Sequence, residues 1–445
     1  VTARDALPTD VSRAGAAPVG DRRPAVRSWL FAGAFAAALG VAAGVLHHTT
    51  GLFWGDLAAY RAGAVAAASG DGQLYQAVHR TPDGIALGFT YPPFAALLMQ
   101  PLAVVAMPVA VAGWTSASVV VLVAIIRLTL RWIGPPARLG PLWTAGALVG
   151  ALPIFAVTGH LQVGQVGLLL TWLVLVDLVA GRRGRWHGLG IGVAAGIKLT
   201  PLIFIGYLVL TGRLRAAATA TVAFAATIGV GFAWRPTDSN WFWTGGLLDT
   251  DRVTGDPRTI LNQSLSGAVT RVLDEPRPGL PWLVVAVLVG AAGMTVAVRC
   301  ARAGDELLAV LACAATGLLV SPVSWHHHWV WWVPALLVLV GDQRWYGRRS
   351  TILTAAAGWL VLVGSTSWVL ASPGGWDLHF SGLGLIYSNL YVLLALGGLG
   401  LLGWRVRPGR TGPRRRAAAA VGPAEAAAPG PRERIDVDTL SNSQQ

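Results

Sequence analysis

Apolar runs of 18 or more residues recur along most of this chain, which is the signature of transmembrane helices. Only 12% of residues are charged, so little is left over to solvate a water-facing surface. A soluble chain of 445 residues would be split into two or three domains, whereas this one reads as a single all-α polytopic membrane domain. That domain is expected to occupy 28–404. Residues 1–27, rich in Ala, Pro, Arg and Asp, read as a disordered cytoplasmic arm, and 405–445 as a basic stop followed by a disordered cytoplasmic tail. A cleaved leader is not expected, because the first apolar run starts late and is about 20 residues long.

The formal charge of +13 does not indicate nucleic acid. The arginines lie in short clusters between apolar runs, as cytoplasmic loops of membrane proteins do. Cys300 and Cys313 lie in or beside apolar segments, which indicates neither a disulfide framework nor a zinc site.

The expected spans are 28–48, 91–107, 109–130, 141–158, 164–180, 187–211, 215–234, 280–299, 306–321, 326–341, 351–371 and 384–404. In the C-terminal half the basic stretches "TGRLR", "RCARAGDE" and "DQRWYGRR" fall on one side without conflict. This puts 235–280, "SPVSWHHHW" (321–329) and 372–380 outside. The N-terminal half has a parity problem. Arg23, Arg27 and the basic stretches 131–138 and 182–185 share a side only if 91–107 fails to cross and 187–211 is a hairpin. That solution is preferred here over a full crossing at 91–107, and the total stays near twelve.

Several polar residues are out of place in such a chain. Lys198, inside "GVAAGIKLTPLIF", is its only lysine. An amine at the centre of a membrane helix costs about 2.5–3.5 kcal/mol, so it needs an anion, a wet cavity or a route to the headgroups. Thr200 and Pro201 break the helix beside it, which favours the anion over mere snorkelling. Asp56, in "GLFWGDLAAYRAG", opens a short helix in the first external loop, and is either a capping acid or a reacting one. Leu57, Ala64, Val65 and Ala68 would form the apolar stripe of that helix, laid on the membrane surface, with Tyr60 and Arg61 adding polarity. "FTYPPF", containing Tyr91, then leads back to the membrane.

"SPVSWHHHWVWW" places three histidines among four tryptophans. At most two of the three can share a helical face and no acidic or thiol partner sits at ligand spacing, so contacts to an anionic or sugar ligand are favoured over a metal. "GHLQVGQVG", with Gln165, and "ILNQSLSGAV", with Asn262 and Gln263, put amides at helix ends, where they bind hydroxyls or cap. Asp249 and Asp251 form a D-x-D, but on the side where nucleotide sugars are not expected.

One acid, one amine, an arginine, histidines and amides suit transfer from a phosphate-linked donor better than hydrolysis. A glycosidase needs two carboxylates, because an alkoxide leaving group must be protonated. A sugar phosphate leaves as a stable anion, so cations replace the general acid and only the acceptor hydroxyl needs a base. The alternatives are a lipid or ion-coupled transporter or flippase, for which only one broken helix and no second copy is found, and a metal-dependent transferase.

The order "GDLAAYRAG … LYQ … FTYPPFAALL … GQVGLLL … GIKLTPLIF … NQSLSGAV … SPVSWHHHW" resembles glycosyltransferase family 87, from about residue 28 to 404. These are polyprenyl-phosphate-mannose-dependent α-1,2-mannosyltransferases of GT-C fold, acting in phosphatidylinositol mannoside and lipomannan synthesis. The resemblance implies inverting, metal-independent transfer of mannose to a 2-hydroxyl of a mannosylated glycolipid, without a cofactor. It also implies a multi-pass plasma-membrane enzyme whose site is extracytoplasmic. The family's acid falls on Asp56 and its arginine on Arg61. Its K-x-x-P falls on Lys198 and Pro201, and its S-P-x-S-W-x-H-H on Ser321 to His328. Asp56 is then the catalytic residue. Arg61, Lys198, His327, His328, Tyr91, Gln165, Asn262 and Gln263 bind the donor phosphate or substrate. His326, at the variable position, is expected to be dispensable. Arabinofuranose is the alternative sugar.

Overall fold

The computed structural model describes residues 23–52, 54–80, 86–134, 140–182, 184–247, 258–275, 279–341, 348–371 and 381–407. Most of both terminal arms, the Asp249/Asp251 pair and 372–380 lie outside the described residues. In chain order, α1 (Arg23–Thr50) leads to a loop holding α2 (Gly55–Ser69), the strands β1 (Val78–Arg80) and β2 (Ala86–Gly88), and α3 (Pro93–Leu98). Then come α4 (Met107–Ile133), α5 (Gly140–Ala151), α6 (Phe155–Val163), α7 (Gly167–Leu175), α8 (Leu189–Ile197), α9 (Ile203–Leu210) and α10 (Leu214–Trp234). The rest is α11 (Pro236–Trp241), α12 (Leu265–Leu273), α13 (Gly279–Arg302), α14 (Glu306–Val320), α15 (Trp332–Gly341), α16 (Arg348–Ala371), α17 (Leu383–Ser388) and α18 (Leu390–Arg405). The antiparallel pair β1–β2, with Val78 opposite Gly88, is the one sheet among the described residues of this helical chain.

Four helices, α1, α4, α10 and α13, are long and apolar enough to cross a membrane, or five spans if α5 and α6, bent by 77°, count as one. This is an integral membrane protein, but twelve full-length spans are not shown. A hydropathy window counts apolar residues without noticing where a helix stops. α5 ends just before Leu152-Pro153, and α8 ends at Lys198, ahead of Pro201.

Close contacts fix the directions of the helices. Arg127 of α4 lies over Trp29, 4.4 Å from the ring centroid, while Gly44 meets Pro108 and Ala112, so α1 and α4 run antiparallel. The described residues of 51–106 therefore stay at one end of the bundle. The expected span 91–107 is only the six-residue α3 and a single tight turn, Gln100–Ala103, far short of a crossing.

Gly188, Gly192 and Gly196 lie four apart and meet in turn Ala216, Ala220 and Thr227 of α10, where any Cβ would clash. The two helices therefore run parallel. Since α10 starts directly after the turn that follows α9, α9 must return alongside α8. The segment 187–211 is thus a hairpin with Lys198 near its tip, the arrangement preferred from the charge pattern.

At the opposite end, Arg182 and Arg213 pair with the buried Glu306 at 3.3 and 2.7 Å, and Tyr207 donates to the same carboxylate at 2.8 Å. The bundle accordingly has a basic end, and an opposite end that gathers the described residues of 51–106 with 235–241, 258–264 and 321–331.

The opening loop is bolted to α10 and α11. Asp238 accepts from the backbone N–H of Gly72 and Leu74 at 3.0 and 3.2 Å, and Asp71 accepts from those of Thr237 and Asp238 at 2.9 and 3.2 Å. Arg235 donates to the carbonyl of Ala67 at 2.8 Å, and Tyr75 stacks on Trp241 with centroids 4.5 Å apart. The buried stripe of α2 is Leu57, Tyr60, Ala64 and Ala67, whereas Val65 and Ala68 face outward. This corrects the stripe read from sequence. Tyr60 counts there as polar, yet its ring is core and its hydroxyl is satisfied internally. α2 thus packs on protein, Leu57 lying against the turn at Gly164.

Candidate active site

Asp56 lies in the first turn of α2, whose N-cap position, Trp54, makes no side-chain capping bond. Its Oδ2 instead accepts from Nε2 of Gln165 at 2.8 Å. Gln165 can reach it because α6 ends on Gly164 in the left-handed region (φ 73°), where a side chain would be strained and would also strike Leu57. The Gln165 carbonyl accepts from Trp114 Nε1 at 3.2 Å. Its Oε1 accepts from the hydroxyls of Tyr60 at 3.1 Å and Tyr91 at 3.3 Å, which are themselves 2.9 Å apart.

Tyr91 connects this group to the amine. Lys198 is extended (φ −150°, ψ 136°) at the end of α8, so its side chain leaves the helix at the hairpin tip. Nζ lies 3.3 Å from the Tyr91 hydroxyl, 2.9 Å from Nε2 of His328 and 5.1 Å from the Tyr91 ring centroid. His327 Nε2 stands 3.9 Å from Asp56 Oδ2, near but beyond hydrogen-bonding distance. Asp56, Tyr91, Gln165, Lys198, His327 and His328 therefore converge.

The three histidines point to different neighbours. His327 faces Asp56 and His328 faces Lys198. His326 stacks on Phe155 (4.0 Å, 9°) against Gly159, so a residue expected to be dispensable is a packing element. Among the described residues no three His, Cys, Asp or Glu side chains converge as metal ligands would.

The remaining expected residues lie elsewhere. Arg61, five positions after Asp56, projects away from it and donates to the carbonyl of Val105 at 3.3 Å. Asn262 is fully buried, accepting the N–H of Ser324 at 3.1 Å. Gln263 donates to the carbonyls of Ile260 and Ser388 at 2.6 and 2.7 Å and accepts from the N–H of Tyr391 at 3.1 Å. The Gln263 amide and the Asn262 amide oxygen are thus engaged with backbone, anchoring the histidine loop. Arg271, which the sequence reading passed over, reinforces them through bonds to the carbonyls of Thr259 and Asn262 at 2.8 and 3.0 Å and to Asn389 at 2.7 Å. His160 was also missed; it is fully buried next to Gly167.

These groups lie outside the spanning helices. Burial raises the Asp56 carboxyl above its ordinary 3.8, opposed by the Gln165 donor and the Lys198 charge. Burial, then the neighbouring histidines and Lys198, pushes His327 and His328 well below 6.5, and burial alone takes His326 to about 3. Near neutral pH the site thus offers one carboxylate able to take a proton, one amine, and uncharged imidazoles. A narrow apolar cleft lined by Leu170, Val174, Phe204, Leu318 and Trp331 ends at Lys198 and His328.

A helical membrane bundle in which an acid, an amine and imidazoles converge at one end, with an apolar cleft opening on the amine, suits a glycosyltransferase that takes its sugar from a lipid carrier. Residues 89–322 match glycosyltransferase family 87, and the chain belongs to that family. It is 36% identical over 338 residues to a polyprenol-phosphate-mannose-dependent α-(1-2)-phosphatidylinositol mannoside mannosyltransferase of Mycobacterium tuberculosis, covering 71% of this chain and 78% of the relative. It is likewise 36% identical over 378 residues to the corresponding phosphatidylinositol pentamannoside mannosyltransferase of that species, covering 81% and 84%. A phosphatidylinositol mannoside mannosyltransferase of Mycolicibacterium smegmatis is 36% identical over 331 residues, covering 68% and 73%. No solved structure matches.

Proposed function

We propose that this chain transfers mannose from polyprenol-phosphate-mannose to a 2-hydroxyl of a phosphatidylinositol mannoside, forming an α-1,2 bond with inversion and without a metal or other cofactor. The observation that carries this reading is the convergence of Asp56 with Lys198 and His328 through Gln165 and Tyr91. Asp56 takes the proton of the acceptor hydroxyl as its oxygen bonds to the anomeric carbon. The bond from that carbon to the phosphate oxygen breaks, and polyprenyl phosphate leaves with the electron pair. Lys198 meets the growing phosphate charge, and His328 and His327 act as neutral hydrogen-bonding groups beside it. The apolar cleft at Lys198 suits the first isoprene units of the donor.

On this reading each arm of the 187–211 hairpin is one pass, α5 and α6 together make another, and the total is about twelve crossings. With the basic end cytoplasmic, the site lies on the extracytoplasmic face of the plasma membrane. Residues 28–404 form the catalytic domain, with 1–27 and 405–445 as cytoplasmic arms.

The test is transfer of labelled mannose from polyprenyl-phosphate-mannose to a mannosylated phosphatidylinositol, with a chelator present. Purified wild type is expected to turn over and Asp56→Asn to lose about 10²–10⁴-fold, the usual share of a general base. Full turnover by Asp56→Asn, or loss of wild-type activity in chelator, would overturn the mechanism.

A further inference from the structure

The acid of this site has a fixed oxygen and an open one. Oδ2 of Asp56 is held by Gln165 at 2.8 Å, while among the described residues no hydrogen bond reaches Oδ1, and 30% of the side chain is exposed. Gln165 itself has almost no freedom. It is 3% exposed, its N–H donates to the carbonyl of His160 at 3.1 Å and its carbonyl accepts from Trp114 at 3.2 Å.

Its amide can face only one way. Two hydroxyls reach its oxygen, from Tyr60 and Tyr91. A flipped amide would set that oxygen against a carboxylate, acceptor to acceptor.

We infer that Gln165 is a positioning residue, not a substrate contact: clamped by Tyr60 and Tyr91, it holds Oδ2 of Asp56 so that Oδ1 meets the acceptor hydroxyl. This rests on Asp56 as the base. The bond also favours the ionised acid, because a donor to a carboxylate stabilises its charge. Tyr91 touches Lys198 as well, so the same hydroxyl ties the orientation of the base to the amine at the donor phosphate.

The experiment is the pH dependence of mannosyl transfer by the full chain, with kcat and KM resolved for each substrate, for wild type, Gln165→Ala and Tyr60→Phe. Gln165→Ala is expected to lower kcat about 10- to 100-fold, the size of one lost hydrogen bond to a charged group. It should also move the acid limb of the profile to higher pH while donor KM stays within about twofold. The Tyr60 hydroxyl bonds Gln165 and Tyr91 and not the carboxylate of Asp56, so Tyr60→Phe should shift the limb in the same direction by less. A merely structural loss would reduce the amount of active enzyme and leave the limb where it was.

An unmoved limb in Gln165→Ala, or raised KM with unchanged kcat, would overturn the inference. If Gln165→Ala does not fold, Tyr60→Phe decides, and a wild-type profile in that variant overturns it. Failure of the wild type to transfer mannose would instead remove the proposed function on which the inference stands.

Discussion

Nζ of Lys198 stands 2.9 Å from Nε2 of His328. An ammonium group has only donors, so His328 must accept at Nε2 and carry its proton on Nδ1, as a neutral imidazole. Burial first, and the Lys198 charge next, hold it neutral. One positive charge, on the amine, then serves the donor phosphate. Lys198→Met is expected to cut kcat/KM for the polyprenyl donor about 10- to 100-fold while changing acceptor KM little, as removal of one charge-assisted contact does. Lys198→Arg should not restore it, because a planar fork does not replace a point donor at the hairpin tip. Steady-state kinetics with each substrate varied in turn would check both.

The pH dependence follows from Asp56. A base works only when ionised, so activity is present above its pKa and falls away as pH drops through it. Because burial raises that pKa, the acid limb for the free enzyme is expected above 3.8, the ordinary value for the group. His327 and His328, held well below 6.5, should contribute no charge change between pH 6 and 8. A kcat/KM profile with its half-point at or below the ordinary carboxylate value would contradict the burial of this acid.

Asp56, Lys198, His327 and His328 were legible in the sequence because each is polar where the surrounding pattern calls for apolar residues. The arginine clusters likewise favoured the hairpin at 187–211 over a single helix, and the contacts of Gly188, Gly192 and Gly196 agree with it. Gln165 was noticed but its use was not, since its partners Asp56 and Tyr60 lie more than 100 residues away in the chain. Asn262 and Gln263 misled for the same reason. Their amides look like sugar ligands until the loop at 321–328 and Tyr391 are seen to consume them. Of the expected spans, 28–48, 109–130, 215–234 and 280–299 are single long helices, while several others are shorter or broken, because a hydropathy window cannot tell one long helix from two short ones.

Arg61 separates sequence position from spatial role. It shares α2 with Asp56, yet its guanidinium is committed to the Val105 carbonyl, which ties the helix to the turn before α4. Arg61→Ala should therefore leave donor KM within about threefold of wild type and lower stability by about 1 kcal/mol, one part-exposed bond. Donor titration beside Lys198→Met, with thermal unfolding in detergent, would decide. A tenfold or greater rise in donor KM would return Arg61 to the phosphate.

The histidine loop is seated by the fit of one ring against a glycine. His326 stacks its face on Phe155, 4.0 Å away and nearly parallel, and turns its Nε2 edge to Gly159, whose added Cβ would strike the imidazole. The ring's face is held on Phe155, which limits how far its edge can swing, so Gly159→Ala is expected to push the loop that carries His327 and His328. We expect Gly159→Ala to lower both the thermal midpoint and mannosyl transfer, and His326→Ala to cost stability with a smaller loss of transfer. In the double variant the missing ring leaves room for the new methyl, so more than half of the Gly159→Ala defect in transfer should be recovered. The coupling should lie in the range of about 0.5–3 kcal/mol seen for residues in direct contact. Additive effects in the double variant would mean that the methyl acts through some other neighbour, and that His326 does not seat the loop.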